Sequence, residues 1–159
     1  MERNSIGLSI EKSKELRGDL NILLANFQTY YQNLRGIHWN IKGKRFFDLH
    51  LKFEELYTDA NTKVDMIAER VLTLGGVPEH TFKEYIDHSN VPVGKNISRD
   101  EDAIRLIVDS LTELLLIERR ILEASDTAND EGTNSMMSDF ISEQEKTVWM
   151  MKAWLVEEI

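Results

Sequence analysis

The segment FFDLHLKFEELYTDANTKVDMIAERVLTLGG, residues 46–76, decides the fold of this protein. Its apolar residues recur three or four places apart, which is the spacing of one face of an α-helix. They are Leu49, Phe53, Leu56, Ala60, Val64, Ile67, Val71 and Leu74. Gly75 and Gly76 close the run, and glycine directly after the last periodic residue is a common helix stop. We therefore predict a helix from about Phe46 to Leu74.

Three further segments have the same periodicity. They run from about Ser9 to Gly36, from Ser98 to about Ala124, and from Thr133 or Asn134 towards the C-terminus. Ser98 is followed three places later by Glu101, a capping box that predicts where the third helix begins. No segment of the sequence is typical of a strand.

A long connection separates the second and third helical segments. Both prolines, Pro78 and Pro92, fall between Gly75 and Asn96. A connection of roughly twenty residues is too long for a helix hairpin, so it predicts a crossover, with a short helix near Thr81–Ile86. The expected fold is all-α: a single domain, residues 1–159, built as a ferritin-like four-helix bundle with one crossover between helices 2 and 3.

Composition excludes several classes of site. The absence of cysteine excludes disulfides, thiolate zinc sites and thiol catalysis, and it fits a reducing cytosol. No stretch approaches the roughly 18 apolar residues of a membrane span, and the first residues lack an export signal, so a soluble cytoplasmic protein is expected. The formal charge of −9 disfavours nucleic-acid binding unless basic residues cluster on one face. No such cluster is visible.

Four residues of the second segment could bind a metal ion: His50, Glu54, Asp65 and Glu69. At ~100° per residue they lie within about 100° of arc on one helix face. His50 and Glu54 could be only a favourable pair four apart. Asp65 and Glu69 repel each other by a few tenths of a kcal/mol, a penalty that a bound cation would reverse.

The spacing along the helix argues for a site shared between subunits. Eleven residues at ~1.5 Å each place Glu54 roughly 16 Å from Asp65, so one metal ion cannot contact both pairs in one chain. Two copies packed antiparallel about a two-fold axis near Asp59 and Ala60 would bring the pairs together, twice. The Glu-x-x-His motif of intrachain di-iron sites is absent, and the ligands suit iron, zinc or manganese.

A family resemblance adds to this pattern. HWNIKG at 38–43, FFDLHLKFEELY at 46–57, Asp65, AER at 68–70 and LGG at 74–76 together resemble the Dps family, the DNA-binding proteins from starved cells or miniferritins. The similarity covers essentially the whole chain and includes Glu145-Lys146 and Trp149-Met150 near the C-terminus.

The resemblance implies a hollow dodecamer, built from two-fold dimers, that stores iron and protects against oxidative stress. It implies that each ferroxidase site takes His38, His50 and Glu54 from one subunit and Asp65 and Glu69 from its partner. Fe(II) would be oxidised to Fe(III), preferably by hydrogen peroxide, at a site of one or two irons, with zinc as another occupant. Many relatives have aspartate in place of Glu54, which leaves the site geometry open.

Further residue roles follow only from the resemblance. It implies that Asp130 and Asp139 line acidic pores for Fe(II), whereas capping of the fourth helix is the structural alternative. Trp39 is expected to be a core residue or a wall of the metal site, and the resemblance implies that it lies close to the metals and quenches stray oxidants. His80 and His88 are expected at the surface.

Two alternative functions remain open at this stage. The first is a nucleoid-associated DNA-binding protein with little oxidase activity, which the few, scattered basic residues of the N-terminal segment disfavour. The second is a purely structural helical oligomer whose acidic stripe is solvated surface.

Overall fold

The computed structural model describes all of residues 1–159 and consists of helices and connections. The helices are α1 (Ile10–Asn40), α2 (Phe46–Thr73), α3 (Phe82–His88), α4 (Asp100–Thr127) and α5 (Glu131–Trp154). The only β-pairing is an isolated bridge between Arg3 and Ser9. The predicted all-α class, four long helices and short crossover helix are confirmed. None of the helices is both long enough and apolar enough to cross a membrane.

The four long helices share one apolar core. α1 packs against α2 and α4, α5 packs against α4, and α3 lies against α1. Phe27 of α1, Phe53 of α2 and Phe140 of α5 are essentially fully buried, and the rings of Phe27 and Phe140 lie 5.9 Å apart. The periodic apolar residues therefore face the bundle interior, as their spacing predicted.

The start of α4 differs from the prediction. The N-cap is Arg99 rather than Ser98, and no side chain caps the helix. The Ser98 carbonyl instead accepts a hydrogen bond of 2.9 Å from the Lys42 amide, in the connection between α1 and α2. Ser98 thus precedes the cap position by one residue, and the predicted capping box is wrong.

Two other helix ends extend beyond their predicted limits. α1 continues through Gly36 to Asn40, which places His38 in its last turn. α5 begins at Glu131 because Asp130 is its N-cap and accepts a hydrogen bond from the Thr133 amide. Both extensions affect residues that the sequence singled out.

Three asparagines of α1 hold the crossover in place. The Asn26 Oδ1 atom accepts from the amides of Asn90 and Val91, at 2.8 and 3.2 Å. Asn21 and Asn33 each donate to one crossover carbonyl and accept from one crossover amide. Asn26 is fully buried, so the crossover backbone satisfies its polar groups against α1 instead of water.

Candidate metal centre

The end of α1 and the start of α2 bring two histidines together. His38 lies in the last turn of α1, and His50 lies in the second turn of α2. Their ring centroids are 3.7 Å apart and their planes are 12° from parallel. His38 is buried and His50 is half-buried.

Each of these histidines is bonded to the backbone of the other. The Nδ1 atom of His38 lies 2.6 Å from the His50 carbonyl oxygen, and the Nδ1 atom of His50 lies 2.7 Å from the His38 carbonyl oxygen. A carbonyl oxygen only accepts hydrogen bonds, so both Nδ1 atoms must carry the proton. In the neutral rings, both Nε2 atoms then retain a lone pair that can bind a metal ion.

Glu54 follows His50 by one helical turn, and its side chain is exposed. Its Oε1 atom accepts a hydrogen bond of 3.3 Å from the Tyr57 hydroxyl, and the Tyr57 ring packs edge-on against His38, with centroids 5.2 Å apart. Desolvation and the Glu54 charge raise the pKa of Tyr57, so the phenol is protonated at neutral pH. Phe46 stacks on the His50 ring, with centroids 4.9 Å apart.

Asp65 and Glu69 do not reach the histidines within one chain. Both carboxylates are exposed on α2, and neither forms an ion pair with a residue of its own chain. No group of three or more His, Asp or Glu side chains in the chain is arranged to hold a metal ion. The structure therefore brings His38 and His50 together, connects Glu54 to them only through Tyr57, and leaves the acidic pair apart.

Comparison with known proteins identifies the family. Residues 18–158 match the family model of the ferritin-like domain. The chain is 40% identical over 148 residues to the DNA protection during starvation protein of Porphyromonas gingivalis, which covers 93% of each protein. The crystal structure of the Dps protein from Vibrio cholerae O1 superposes with a TM-score of 0.95 at 47% identity and covers 98% of both chains.

The chain belongs to the Dps family. Dps from Bacillus brevis has the same fold, with a TM-score of 0.88 and 32% identity, over 91% of this chain and 97% of that one. The Vibrio cholerae protein is described as a member of the ferritin-like diiron-carboxylate proteins. The resemblance seen in the sequence is thereby confirmed.

The ligand atoms of this Dps chain suit Fe(II). Two imidazole nitrogens with fixed tautomers and one free carboxylate are ligands of the hardness that Fe(II) and Zn(II) both accept. The hydrogen bonds from each Nδ1 atom to a backbone carbonyl fix the ring orientation, as is usual for metal-binding histidines. The chemistry of these residues therefore fits a metal ion, but within one chain no three such side chains are arranged to hold one.

The two predicted pore residues have different surroundings. The Asp130 side chain is buried, accepts from the Arg70 guanidinium at 2.6 Å, and caps α5. Asp139 is exposed on α5. In the single chain Asp130 caps α5, which was the structural alternative to a pore role. A pore role for Asp130 or Asp139 concerns the assembled shell and stays a prediction.

Trp39, His80 and His88 are all exposed. The surface placement of the two histidines is confirmed, and His88 pairs with Glu79 at 2.7 Å. Trp39 is 57% exposed, so the core alternative for this residue is wrong. Its ring is covered on one side by the Arg35 guanidinium, 4.9 Å from the centroid.

A buried polar cluster inside the bundle was not predicted. Glu118 of α4 is fully buried and accepts a hydrogen bond of 2.7 Å from the Gln144 amide of α5. Burial raises the pKa of Glu118 to about 8, although this hydrogen bond and the nearby Lys63 oppose the shift.

Lys63 is itself buried and bridges Asp59 and Glu143, at 2.5 and 2.7 Å. The sequence signal was available, because Glu118 lies at core spacing between Leu114 and Ile121.

Proposed function

We propose that this protein is a cytoplasmic ferroxidase and iron-storage protein. Fe(II) binds between two subunits, to His38, His50 and Glu54 of one subunit and to Asp65 and Glu69 of its partner. Hydrogen peroxide oxidises it, and the Fe(III) formed is stored as ferric oxyhydroxide in a hollow dodecamer. Removal of iron and peroxide together protects the cell against oxidative stress.

The reciprocal hydrogen bonds of His38 and His50 carry this proposal. They fix the tautomer of both rings, so each Nε2 atom keeps a lone pair for a metal ion before one arrives. Glu54 follows His50 by one helical turn and is exposed. Fixing the tautomer in advance lowers the reorganisation that metal binding requires.

The exposed acidic pair supports a shared site. Asp65 and Glu69 repel each other without a compensating cation in their own chain, and roughly 16 Å of helix separates Asp65 from Glu54. An antiparallel α2 from a second copy would supply the missing carboxylates to both sites of a dimer. Oxygen ligands favour Fe(III) over Fe(II), so they also favour the oxidation.

Two Fe(II) ions supply the two electrons that reduce one hydrogen peroxide molecule. Hydrolysis of the two Fe(III) ions releases protons and deposits ferric oxyhydroxide. Because both electrons that reduce the peroxide come from iron, hydroxyl radical is not released. Zinc, which has no accessible redox change, would bind the same residues as an inhibitor.

Site-directed variants test the proposal. Purified protein is mixed with Fe(II) and hydrogen peroxide, and Fe(III) formation is followed by absorbance. We expect rapid oxidation by the wild type and loss of the rapid phase in both His50→Ala and Asp65→Ala. Glu55→Ala is the matched control, because Glu55 is an exposed carboxylate of the same helix next to Glu54. Unchanged rates in both site variants would refute the assignment.

Mixing the two variants tests whether the site is shared. If each site takes its histidine from one subunit and Asp65 from the other, co-refolding His50→Ala with Asp65→Ala restores about one site in four by random pairing. A site contained in one chain would give no recovery. The recovered fraction therefore separates the interfacial site from an intrachain one.

A further inference from the structure

Arg45, the N-cap residue of α2, connects the start of that helix to α4 and α5. Its guanidinium donates to the Asp100 carboxylate at 2.9 Å and lies over the Trp154 ring, 5.3 Å from the centroid. Asp100 is the first residue of α4, and Trp154 is the last residue of α5. The other oxygen of Asp100 accepts from the Glu101 amide at 2.8 Å, which fixes the direction of the carboxylate.

Three basic side chains form the ion pairs that join α2 and its N-cap to the α4–α5 side of the bundle. They belong to Arg45, Lys63 and Arg70. Lys63 and Arg70 lie roughly 20 and 30 Å beyond His50 along the helix. Arg45 is therefore the ion pair that secures the end of α2 carrying His50.

The backbone of Arg45 connects this attachment to His50. The Arg45 carbonyl accepts a hydrogen bond of 3.0 Å from the amide of Leu49, which directly precedes His50. Phe46 directly follows Arg45, and its ring stacks on His50 with planes 18° from parallel. A displacement of Arg45 would therefore move both the His50 backbone and the ring that packs on it.

The turn between α1 and α2 depends on contacts from outside itself. Gly43 has a φ of +118°, in the region that favours glycine, and the Arg45 side chain does not cap α2. The Lys42 amide donates to the Ser98 carbonyl, just before α4. The start of α4 thus holds this turn at two points, and Arg45 makes the side-chain contact.

We propose that Arg45 is a positioning residue for the candidate metal centre, an inference that rests on the proposed ferroxidase function. It holds the start of α2 where His38 and His50 form their reciprocal hydrogen bonds, so that both Nε2 atoms remain free for Fe(II). Arg45 itself does not bind the metal ion. Partners bonded directly to metal ligands typically change metal affinity 10- to 100-fold. Since the Arg45 side chain acts through a turn and is 59% exposed, we expect a loss of about three- to tenfold.

Solid-state NMR of the sedimented, metal-free oligomer tests the positioning without any activity measurement. The chain has four histidines, and 15N-labelled imidazoles report which ring nitrogen carries the proton. At an alkaline pH that keeps the rings neutral, we expect protonated Nδ1 atoms in His38 and His50 of the wild type. We expect a mixture of tautomers in Arg45→Ala. Spectra of His80→Gln and His88→Gln assign the two remaining signals.

Arg99→Ala is the matched control for this measurement. Arg99 is an exposed arginine at the start of α4, and its ion pair is with Asp102 of that helix instead of the α1–α2 turn. It should keep the wild-type tautomers. Should Arg45→Ala fail to assemble, Asp100→Asn weakens the same ion pair from α4 and gives the same test. Wild-type tautomers in an assembled Arg45→Ala or Asp100→Asn oligomer would overturn the proposal.

Titration with Co(II), a spectroscopic substitute for Fe(II), gives an independent measurement. We expect the Co(II) dissociation constant to rise about three- to tenfold in Arg45→Ala and less in Arg45→Lys, which keeps the charge but not the planar stacking on Trp154. Arg45→Ala combined with Asp100→Asn should bind no more weakly than Arg45→Ala alone, because both changes remove one interaction. Additive losses would contradict the proposal. Absence of Fe(II) oxidation by the wild type would refute the proposed function, whereas tautomers that do not respond to Arg45 would refute the positioning role alone.

Discussion

At the scale of the residue, the same side-chain type has different roles that depend on what surrounds it. Glu54 is exposed and free to bind a cation, whereas Glu118 is fully buried against Gln144. One oxygen of Glu118 and the Gln144 carbonyl oxygen lack hydrogen-bond partners. A neutral carboxyl group can donate a proton in this environment, which an ionised one cannot.

The raised pKa of Glu118 predicts how stability depends on pH. Its carboxyl group titrates near 4.5 when unfolded and at about 8 in the folded protein. The stability that the neutral group provides is thus fully present below its unfolded pKa and is lost as the pH rises through the folded pKa, at no more than ~1.4 kcal/mol per pH unit. We expect Glu118→Gln to flatten this dependence and to be the more stable protein at the alkaline end.

Urea unfolding across that pH range measures the effect. Glu123→Gln, which changes an exposed carboxylate of the same helix, should retain the wild-type profile. Equal pH profiles for Glu118→Gln and the wild type would contradict a neutral Glu118.

Helical spacing identified some of the candidate ligands and not others. His50, Glu54, Asp65 and Glu69 lie on one face of the same helix, so their spacing alone indicated them. His38 lies on another helix, and only the family resemblance indicated it. The hydrogen bonds between His38 and His50 depend on the geometry of the turn at residues 41–45, which periodicity does not describe.

At the scale of the element, the structure shows how α5 is attached to the bundle. Asp130 caps α5 and accepts hydrogen bonds from Arg70 of α2 and from Thr133. The carboxylate is almost fully buried, so its loss would leave the Arg70 charge without its partner. Arg70 directly follows Glu69, which links the helix start to the candidate metal centre.

We therefore expect Asp130→Ala to destabilise the protein by about 3–5 kcal/mol, the usual effect of removing one partner of a buried pair. Asp130→Asn should be intermediate, because the amide oxygen can still cap the helix. Asp139→Ala is the control: Asp139 is exposed and unpaired within the chain, so unfolding should change by less than ~0.5 kcal/mol. Denaturant midpoints measure all three variants, and equal stability of Asp130→Ala and Asp139→Ala would contradict the structural role of Asp130.

The crossover should depend on Asn26 in the same way. Asn26→Ala removes the acceptor of the Asn90 and Val91 amides. Val91 is buried, so leaving its amide unsatisfied costs roughly 1–3 kcal/mol. We expect faster hydrogen exchange of these two amides and faster proteolysis between α2 and α4. Asn40→Ala, which loses only one bond to the Gly36 carbonyl at an exposed helix end, should exchange like the wild type.

Helix positions could be predicted from the sequence, but helix ends and the path of the crossover could not. Apolar periodicity extends over many residues, so it is robust to single exceptions such as Gly36. A helix end depends instead on single local hydrogen bonds. At the start of α4, for example, the Lys42 amide donates to the Ser98 carbonyl, and the helix begins one residue later than predicted. The asparagines that hold the crossover are separated from their partners by more than fifty residues, so local patterns carry no information about them.

At the scale of the whole molecule, the crossover exposes an unusual amount of apolar surface. Val77, Phe82, Ile86 and Val93 are each more than 70% exposed in the single chain. Large exposed apolar side chains in one region are typical of surfaces that pack against another protein. They support the proposal that the functional form is an oligomer.

The mass of the native particle tests the proposed shell. We expect native mass spectrometry to give twelve copies of the 18.5 kDa chain, with dimers as the intermediate on dissociation. A monomer that oxidises iron rapidly would contradict both the dodecamer and the shared site. A smaller closed oligomer with full activity would contradict only the dodecamer.

The charge distribution predicts weak DNA binding, although the relative from Porphyromonas gingivalis is named for DNA protection. Arg3 donates to the Gly7 carbonyl at 2.6 Å, and Lys12 donates to the Thr127 carbonyl at 2.7 Å, so these cations lie against the protein's own backbone. With a formal charge of −9, the surface repels phosphate instead of releasing counterions from it.

We expect no retardation of duplex DNA in a gel-shift titration at low salt. The same protein with an added N-terminal oligolysine segment is the positive control, and its affinity should fall steeply with salt. Tight, salt-sensitive binding by the unmodified protein would contradict this prediction and favour a role at the nucleoid.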